Sequence, residues 1–411
     1  MDSTLKNIII ISDVAYISGG AGKVAIETAI GLKNKGLNVF FFAGINKTDE
    51  ELVKHGIKVT CVGVEHVTRQ KGLLGKLSNI WNYRVARELD KYLLDFDNEN
   101  TVVHVHSWTK ALSASIFQVL KRRNFKTLIS LHEFFTVCPN GGLYDYKQNK
   151  ICTYDALSVK CLCCNCDKRN YLNKVFRLIR WSVQRFLLNR LKPSVIYISE
   201  FSKTIISKKV SFAINNSYLI PNFVNFAVSD RVLCEKNQKA VYLGRVDQEK
   251  GVDLFCNAVK ECNVEACVIG DGSWIEKLKS EYPDIQFVGW KNQDGIRTEL
   301  ASARYLIIPS KWYETMGLIA IEVKAYGIPI IVSAQCAASE YVNNDGLLFD
   351  VNSSDSLCKC IERMRDDKVV ETFSMNAYSK FQRDKFSLDY HLSVLINAYN
   401  KELEDKNTYV R

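Results

Sequence analysis

The stretch KNIIIIS, residues 6 to 12, is an unbroken β-branched run, and a helical pattern follows it from Lys23 to Lys35. A strand without polar alternation is one buried on both faces, as in a parallel sheet covered by helices. The alternation continues with strand-like runs at 36–44 (GLNVFFFAG), 101–107 (TVVHVHS), 125–132 (FKTLISLH) and 194–199 (SVIYIS), separated by helical stretches near 71–94, 110–123 and 172–191. Periodicity lapses at 221–238, PNFVNFAVSDRVLCEKNQ, which reads as a linker. A second series follows, with strands at 239–245, 264–270, 285–290, 303–310 and 328–333 and helices at 251–262, 273–280 and 317–326. This predicts an α/β fold of two Rossmann-like domains whose strand C-termini face each other across a central cleft.

A chain of 411 residues suits two such domains. The expected division is 1–225 for the first, with a cysteine-rich insertion at 136–171, then 226–385 for the second. A C-terminal helix within 386–411 is expected to return toward the first domain. No apolar run reaches about 18 residues, and the opening MDSTLKNIIIIS lacks a basic region and a small-residue cleavage site. A cytoplasmic protein is therefore expected, with most of its 14 cysteines reduced. The net charge of +10 fits anionic partners: nucleotides, phospholipid head groups or nucleic acid.

Three constellations carry chemistry. SGGAGKV, residues 18–24, looks like a phosphate loop, but Ile17 stands where a Walker loop needs its first glycine and Val24 where it needs a hydroxyl. What remains is a glycine turn before a helix N-terminus, able to present N–H groups to an anion. In LGRVDQEKG, residues 243–251, Arg245 and Lys250 lie in a loop leading from strand to helix, so both cations can converge on one diphosphate. In PSKWYETMGLIAIEVKAYGIP, residues 309–329, Glu314 sits in a loop and Glu322 eight positions later inside the next helix. The amides of Met316, Gly317 and Leu318 open that helix toward an anion.

The Glu314/Glu322 pair, the GR…EKG loop, GDG at 270–272, FVGW at 287–290, the early glycine pair and IPNFVN together resemble family 4 of the glycosyltransferases, with the GT-B fold, over about residues 7–399. The resemblance implies retaining transfer of a sugar from a nucleotide diphosphate, a UDP- or GDP-sugar, to an acceptor hydroxyl. It implies that Arg245 and Lys250 neutralise the diphosphate, with Gly20 approaching the same phosphates from the other domain. Glu314 would hold donor-sugar hydroxyls, Glu322 the ribose hydroxyls, and Met316, Gly317 and Leu318 would touch sugar and phosphate through backbone amides. His132, in SLHEFF, matches the histidine such enzymes place beside the reacting sugar. Attack on the donor's front face, with the departing phosphate oxygen taking the acceptor proton, requires no cofactor. A lipid-linked or oligosaccharide acceptor in capsule, exopolysaccharide or O-antigen synthesis is implied. Soluble small-sugar synthesis and a non-catalytic nucleotide-sugar binder are the alternatives. Against nucleic acid, only DKRNY (167–171) sets basic residues beside the cysteines.

Other features are less directed. Asp95 and Asp97, the one D-x-D, read as a surface turn. His104 and His106 alternate on a strand and point to one face, as packing, cleft lining or metal ligands. Cys138, Cys152, Cys161 and Cys166 match a CPNGG…C…C…NCDxRNY signature of some bacterial members, and four thiolates would suit a structural zinc; isolated thiols and disulfides are the alternatives. The helical stretch 171–192 sets an apolar stripe (Leu172, Val175, Phe176, Ile179, Val183, Phe186, Leu187, Leu191) among Lys174, Arg177, Arg180, Arg185, Arg190 and Lys192. It fits either packing on its own sheet or peripheral contact with the anionic inner face of the plasma membrane, and 71–89 has the same character.

Overall fold

The computed structural model describes residues 5–70, 72–225 and 230–405, excluding the side chains at 72–74, 76 and 354. Strands β1 (Asn7–Ser12), β2 (Asn38–Ala43), β3 (Lys58–Cys61), β4 (Thr101–Val105) and β5 (Lys126–Ser130) open the chain, followed by a short antiparallel hairpin, β6 (Tyr144–Asp145) and β7 (Lys150–Ile151). With β8 (Ser194–Tyr197) and β9 (Ser217–Leu219) they form a seven-stranded parallel sheet in the order β3-β2-β1-β4-β5-β8-β9, the hairpin standing apart. The second sheet comprises β10 (Lys239–Leu243), β11 (Ala266–Ile269), β12 (Gln286–Gly289), β13 (Ala303–Ile308), β14 (Ile330–Ser333) and β15 (Gly346–Phe349), ordered β12-β11-β10-β13-β14-β15. Ile8 to Ile11 are wholly buried, as a strand covered on both faces requires.

In each sheet the chain winds outward one way from its first strand and then the other way, so a crevice opens at the strand C-termini between β1 and β4 and again between β10 and β13. Asp13, directly after β1, fixes the first crevice: its carboxylate accepts N–H bonds from Lys110 (2.9 Å), Ala111 (2.7 Å) and Leu112 (2.9 Å). Those bonds hold residues 110–112 out of the helix expected from 110, and the helix runs over Ser115–Arg122 instead. The helix expected over 71–94 is likewise two, Gly72–Ile80 and Tyr83–Tyr92, because Asn82 caps the second by accepting from Val85 N at 3.1 Å.

The helix Leu388–Glu404 lies on the first sheet, where Leu392, Leu395, Ala398 and Tyr399 join Ile8 and Ile10 in one core. Glu402 is buried there and accepts from Ser194 Oγ (2.6 Å) and Tyr218 OH (2.8 Å). Asp95 and Asp97 are both exposed, and Asp97 accepts from Glu99 N at 3.0 Å within its own turn.

Candidate active site

The loop after β10 is shaped by close backbone approach. Tyr242 OH donates to the Arg245 carbonyl at 2.6 Å, and Asp247 accepts from Ser273 N (3.1 Å) and Oγ (2.6 Å). Gly251 closes the loop at φ 69°, where a Cβ would stand 1.9 Å from the Pro309 carbonyl oxygen. Only glycine allows the two loops flanking this crevice to touch there.

The loops enclose a cavity of about 260 Å³ lined by Arg245, Lys250, Ser310, Glu314, Gly317 and their neighbours. Lys250 Nζ lies 2.8 Å from Glu314 Oε1 and 5.4 Å from the centre of the Trp312 ring, and the Ser310 hydroxyl donates to the same carboxylate oxygen. Burial works to raise the Glu314 pKa, but the Lys250 charge and hydrogen bond, Ser310 and Arg245 overcome it and hold the carboxyl below the usual glutamate range. Arg245 pairs with Asp247 and, at 3.5 Å, with Glu249, and its side chain is 58% exposed. Arg245 and Lys250 line the same cavity, each partnered by a carboxylate.

Gly317 caps the seven-residue helix Leu318–Lys324 in a left-handed conformation, and Met316 is buried against Ile198, Val224 and Ile321, which spans both domains. Glu322 is partly buried on that helix; burial pushes its carboxyl up, and the opposing charge is that of Lys23, from the helix Gly20–Asn34 of the first domain. Lys23, in the first turn of that helix, thus lies near enough to Glu322 for its charge to act on the carboxyl. Gly20 is exposed, with open space where a Cβ would be.

On the first-domain side, His106 Nδ1 and His132 Nε2 are 3.0 Å apart and the rings stack, with centroids 5.2 Å apart. His106 Nε2 and His132 Nδ1 are buried without hydrogen-bond partners, and both rings line a pocket shared with Asp13, Ser107, Lys110 and Glu133. Burial, with His391 nearby, pulls the His132 pKa down to about 4, so the ring is neutral at neutral pH. His104 is spent on packing, between Tyr399 OH (2.6 Å) and Ser130 Oγ (2.8 Å). The residue the sequence reading missed is Thr315. Its Oγ1 donates to the His132 carbonyl (3.0 Å) and its own carbonyl accepts from Ser199 Oγ (2.6 Å), so the loop carrying Glu314 is bolted to the first domain one residue later.

The structure sets a lysine beside the cysteines expected to hold zinc. None of the 14 cysteines is in a disulfide, and among the described residues no group of three or more His, Cys, Asp or Glu is arranged to hold a metal ion. The cation among Cys138, Cys152, Cys161 and Cys166 is the ammonium of Lys174, 1% exposed, which donates to Cys166 Sγ at 2.9 Å and lies 3.6 Å from Cys161 Sγ. Burial lowers the Lys174 pKa, but the cysteines outweigh it and the net direction is upward. Burial also pushes the Cys152 thiol up to about 11.

The helix Tyr171–Leu191 also departs from the expected basic face. Leu178, Trp181, Leu187, Leu188 and Leu191 pack inward, whereas Leu172 (78% exposed), Val175, Ile179 and Phe186 form an outward ridge. Arg177 pairs with buried Asp167 (2.8 Å), Arg180 donates to the Thr109 carbonyl (3.0 Å), Arg185 to the Ser211 carbonyl (3.2 Å), and Lys174 is buried. Of the six basic residues only Arg190 and Lys192 remain fully exposed, leaving an apolar ridge rather than a basic one. The helix Gly72–Ile80 packs beside it with Leu77 exposed; of the related 71–89 stretch, Lys71 lies outside the described residues.

Residues 18–228, more than half of the chain, match Glycosyltransferase Family 4, and residues 237–367 match Glycosyl transferases group 1. The chain belongs to glycosyltransferase family 4. The chain is 27% identical over 164 residues to an uncharacterized 41.2 kDa protein of the cps region of Klebsiella pneumoniae, a match covering 39% of this chain and 44% of that one. Over 171 residues it is 29% identical to the UDP-Gal:alpha-D-GlcNAc-diphosphoundecaprenol alpha-1,3-galactosyltransferase of Escherichia coli, covering 37% and 43% of the two chains. These matches span less than half the length of either relative. Anabaena HepE, solved with UDP and glucose, superposes with a TM-score of 0.68 at 15% identity over 96% of this chain and all of HepE, which shows that the fold is GT-B. No helix among the described residues is long and apolar enough to cross a membrane.

Proposed function

We propose that the chain transfers a sugar, with retention, from a nucleoside-diphosphate donor to a lipid-linked or oligosaccharide acceptor during bacterial surface polysaccharide synthesis. The observation that carries this reading is the loop Lys311–Met316, which pairs Glu314 with Lys250 on the donor side and binds Thr315 to the His132 backbone on the other. A loop that carries the paired carboxylate and reaches the backbone of His132 supports reading the two sides as one site. Arg245 and Lys250 take the diphosphate, whose charge grows as the glycosidic bond breaks, with the amides of Gly20, Met316, Gly317 and Leu318 adding donors. Glu314 holds the donor-sugar hydroxyls and Glu322 the ribose. The neutral His132, steadied by His106, orients the reacting hydroxyl, and the departing phosphate oxygen accepts its proton. This scheme calls on no cofactor.

A thermal-shift screen of nucleotide sugars tests the reading, since a donor held at 100 times its Kd stabilises the protein by about 2.7 kcal/mol. One UDP- or GDP-sugar is expected to raise the midpoint, and Arg245→Ala is expected to weaken its binding about tenfold or more, the loss of one charged hydrogen bond being worth roughly 1.5–3 kcal/mol. An unmoved midpoint across the panel would count against nucleotide-sugar use.

The exposed ridge of Leu172, Val175, Ile179 and Phe186 is assigned to the membrane face at which a lipid-linked acceptor is met. Because its basic neighbours are engaged internally, binding is expected to rest on apolar insertion and to survive raised salt. Flotation with anionic vesicles in low and high salt reads this out. Leu172→Asp with Ile179→Asp is expected to release the protein, and equal flotation of that variant would place the contact elsewhere.

A further inference from the structure

We propose that Lys174 and Cys166 form a peroxide-responsive modification site, at which the two side chains become joined through one oxygen atom as an N–O–S bridge. The helix Tyr171–Leu191 carries Lys174 into the insertion, where its Nζ meets Cys166 Sγ at 2.9 Å. That separation leaves room for one bridging oxygen with little movement, whereas a direct N–S bond would require the two atoms to close by a further bond length. Asn140 Nδ2 also donates to Cys166 Sγ, at 3.1 Å. The sulfur therefore accepts from two N–H donors, one of them the lysine ammonium.

Lys174 and Cys166 are 1% and 3% exposed, so the product of a first oxidation is held against the amine with bulk water excluded. The cluster lies just beneath the surface, beside exposed Cys163 and half-buried Cys164, within reach of an oxidant as small as hydrogen peroxide.

The chemistry balances with peroxide as sole oxidant. The Cys166 thiolate attacks one peroxide oxygen, forming an S–O bond and breaking the O–O bond; sulfur is oxidised to the sulfenic acid, and the departing hydroxide takes a proton from the Lys174 ammonium to leave as water. The freed Lys174 amine attacks a second peroxide, breaking its O–O bond and forming the N–O bond of a hydroxylamine with release of water; the hydroxylamine oxygen then displaces the hydroxyl of the sulfenic acid as water, so the ammonium–thiolate pair and two peroxides yield the bridge and three waters. Four electrons from thiol reductant restore both side chains and release one water.

The bridge would tie this helix to the floor of the β6–β7 hairpin. The Cys166 carbonyl accepts from Tyr146 N (3.3 Å), and Asn149, in the hairpin turn, accepts from Gln248 of the Arg245 loop.

The test treats full-length protein, purified under reducing conditions, with hydrogen peroxide and maps it by proteolysis and tandem mass spectrometry. The expected product is a peptide pair joined at Lys174 and Cys166, heavier than its parts by one oxygen less two hydrogens and separated again by dithiothreitol. The pair should vanish in Lys174→Met and Cys166→Ser, while the assignment in the unsubstituted protein stands whether or not those variants fold. A disulfide from Cys166 to another cysteine, a link lacking oxygen, Cys166 left unreacted or capped by oxygen alone, or one equivalent of bound metal would each overturn the proposal.

Discussion

Glu314→Gln is expected to lower the rate of sugar transfer by about 10²–10³-fold while leaving donor binding intact or tighter. Glutamine keeps the size of the side chain and an oxygen for the Ser310 hydroxyl but removes the charge that Lys250 approaches at 2.8 Å. On the proposed reading that ammonium is shared between Glu314 and the donor phosphate in the unsubstituted protein, and in the variant it would belong to the phosphate alone. Loss of turnover together with undiminished affinity is thus the mark of a carboxylate that acts on the sugar, whereas a structural ion pair would lose stability and binding together. The pH dependence follows from the same contacts. Burial raises the Glu314 pKa, but Lys250, Ser310 and Arg245 bring it below the glutamate range, so the group stays ionised until the pH falls beneath that lowered value. In Lys250→Met burial is opposed only by Ser310 and Arg245, and the acid limb of the rate profile is expected to move to higher pH. Initial rates across pH with the donor found by thermal shift decide the matter, and an acid limb unmoved in Lys250→Met would separate Glu314 from catalysis.

The parts of the fold legible in the sequence are those where one local pattern suffices. Ile8 to Ile11 announce a doubly covered strand because nothing polar interrupts them, and the βα alternation announces both sheets. Strands β3, β9 and β15, three or four residues long and partly exposed, escape, whereas the equally short and partly exposed β12 is marked by its FVGW run. The site is legible in its residue types and not in its partnerships. GR…EKG and the Glu314/Glu322 spacing point to a cleft, yet no local signal says that Lys250 meets Glu314 or that Thr315 reaches His132, since each contact joins segments brought together only by the fold. The helix Tyr171–Leu191 shows the converse. Its periodicity is plain, but spacing alone leaves open whether the apolar stripe is buried, because that depends on Asp167, Thr109 and Ser211 claiming its arginines.

Gly251→Ala is expected to destabilise the protein well beyond the conformational cost of alanine, and to remove transfer with it. Two costs add at this position. The left-handed backbone, at φ 69° and ψ 24°, charges any L side chain about 1–2 kcal/mol. The new methyl would also stand 1.9 Å from the Pro309 carbonyl oxygen and 2.9 Å from its carbon, a clash between two backbones that no rotamer relieves. One loop must therefore withdraw. The Pro309 loop is pinned by the Lys311 N bond to the Glu249 carbonyl (3.0 Å) and by Thr315, so withdrawal pulls Glu314 away from Lys250. Gly36→Ala separates the two costs, because Gly36 has φ 86° with nothing within 4 Å of the added carbon. It should show the left-handed penalty alone and full activity. Thermal midpoints and transfer rates for the two variants, measured side by side, isolate the clash. Equal midpoint shifts would mean that the contact between the Gly251 and Pro309 loops does not hold the cavity together, and the pairing of Lys250 with Glu314 would then need another support.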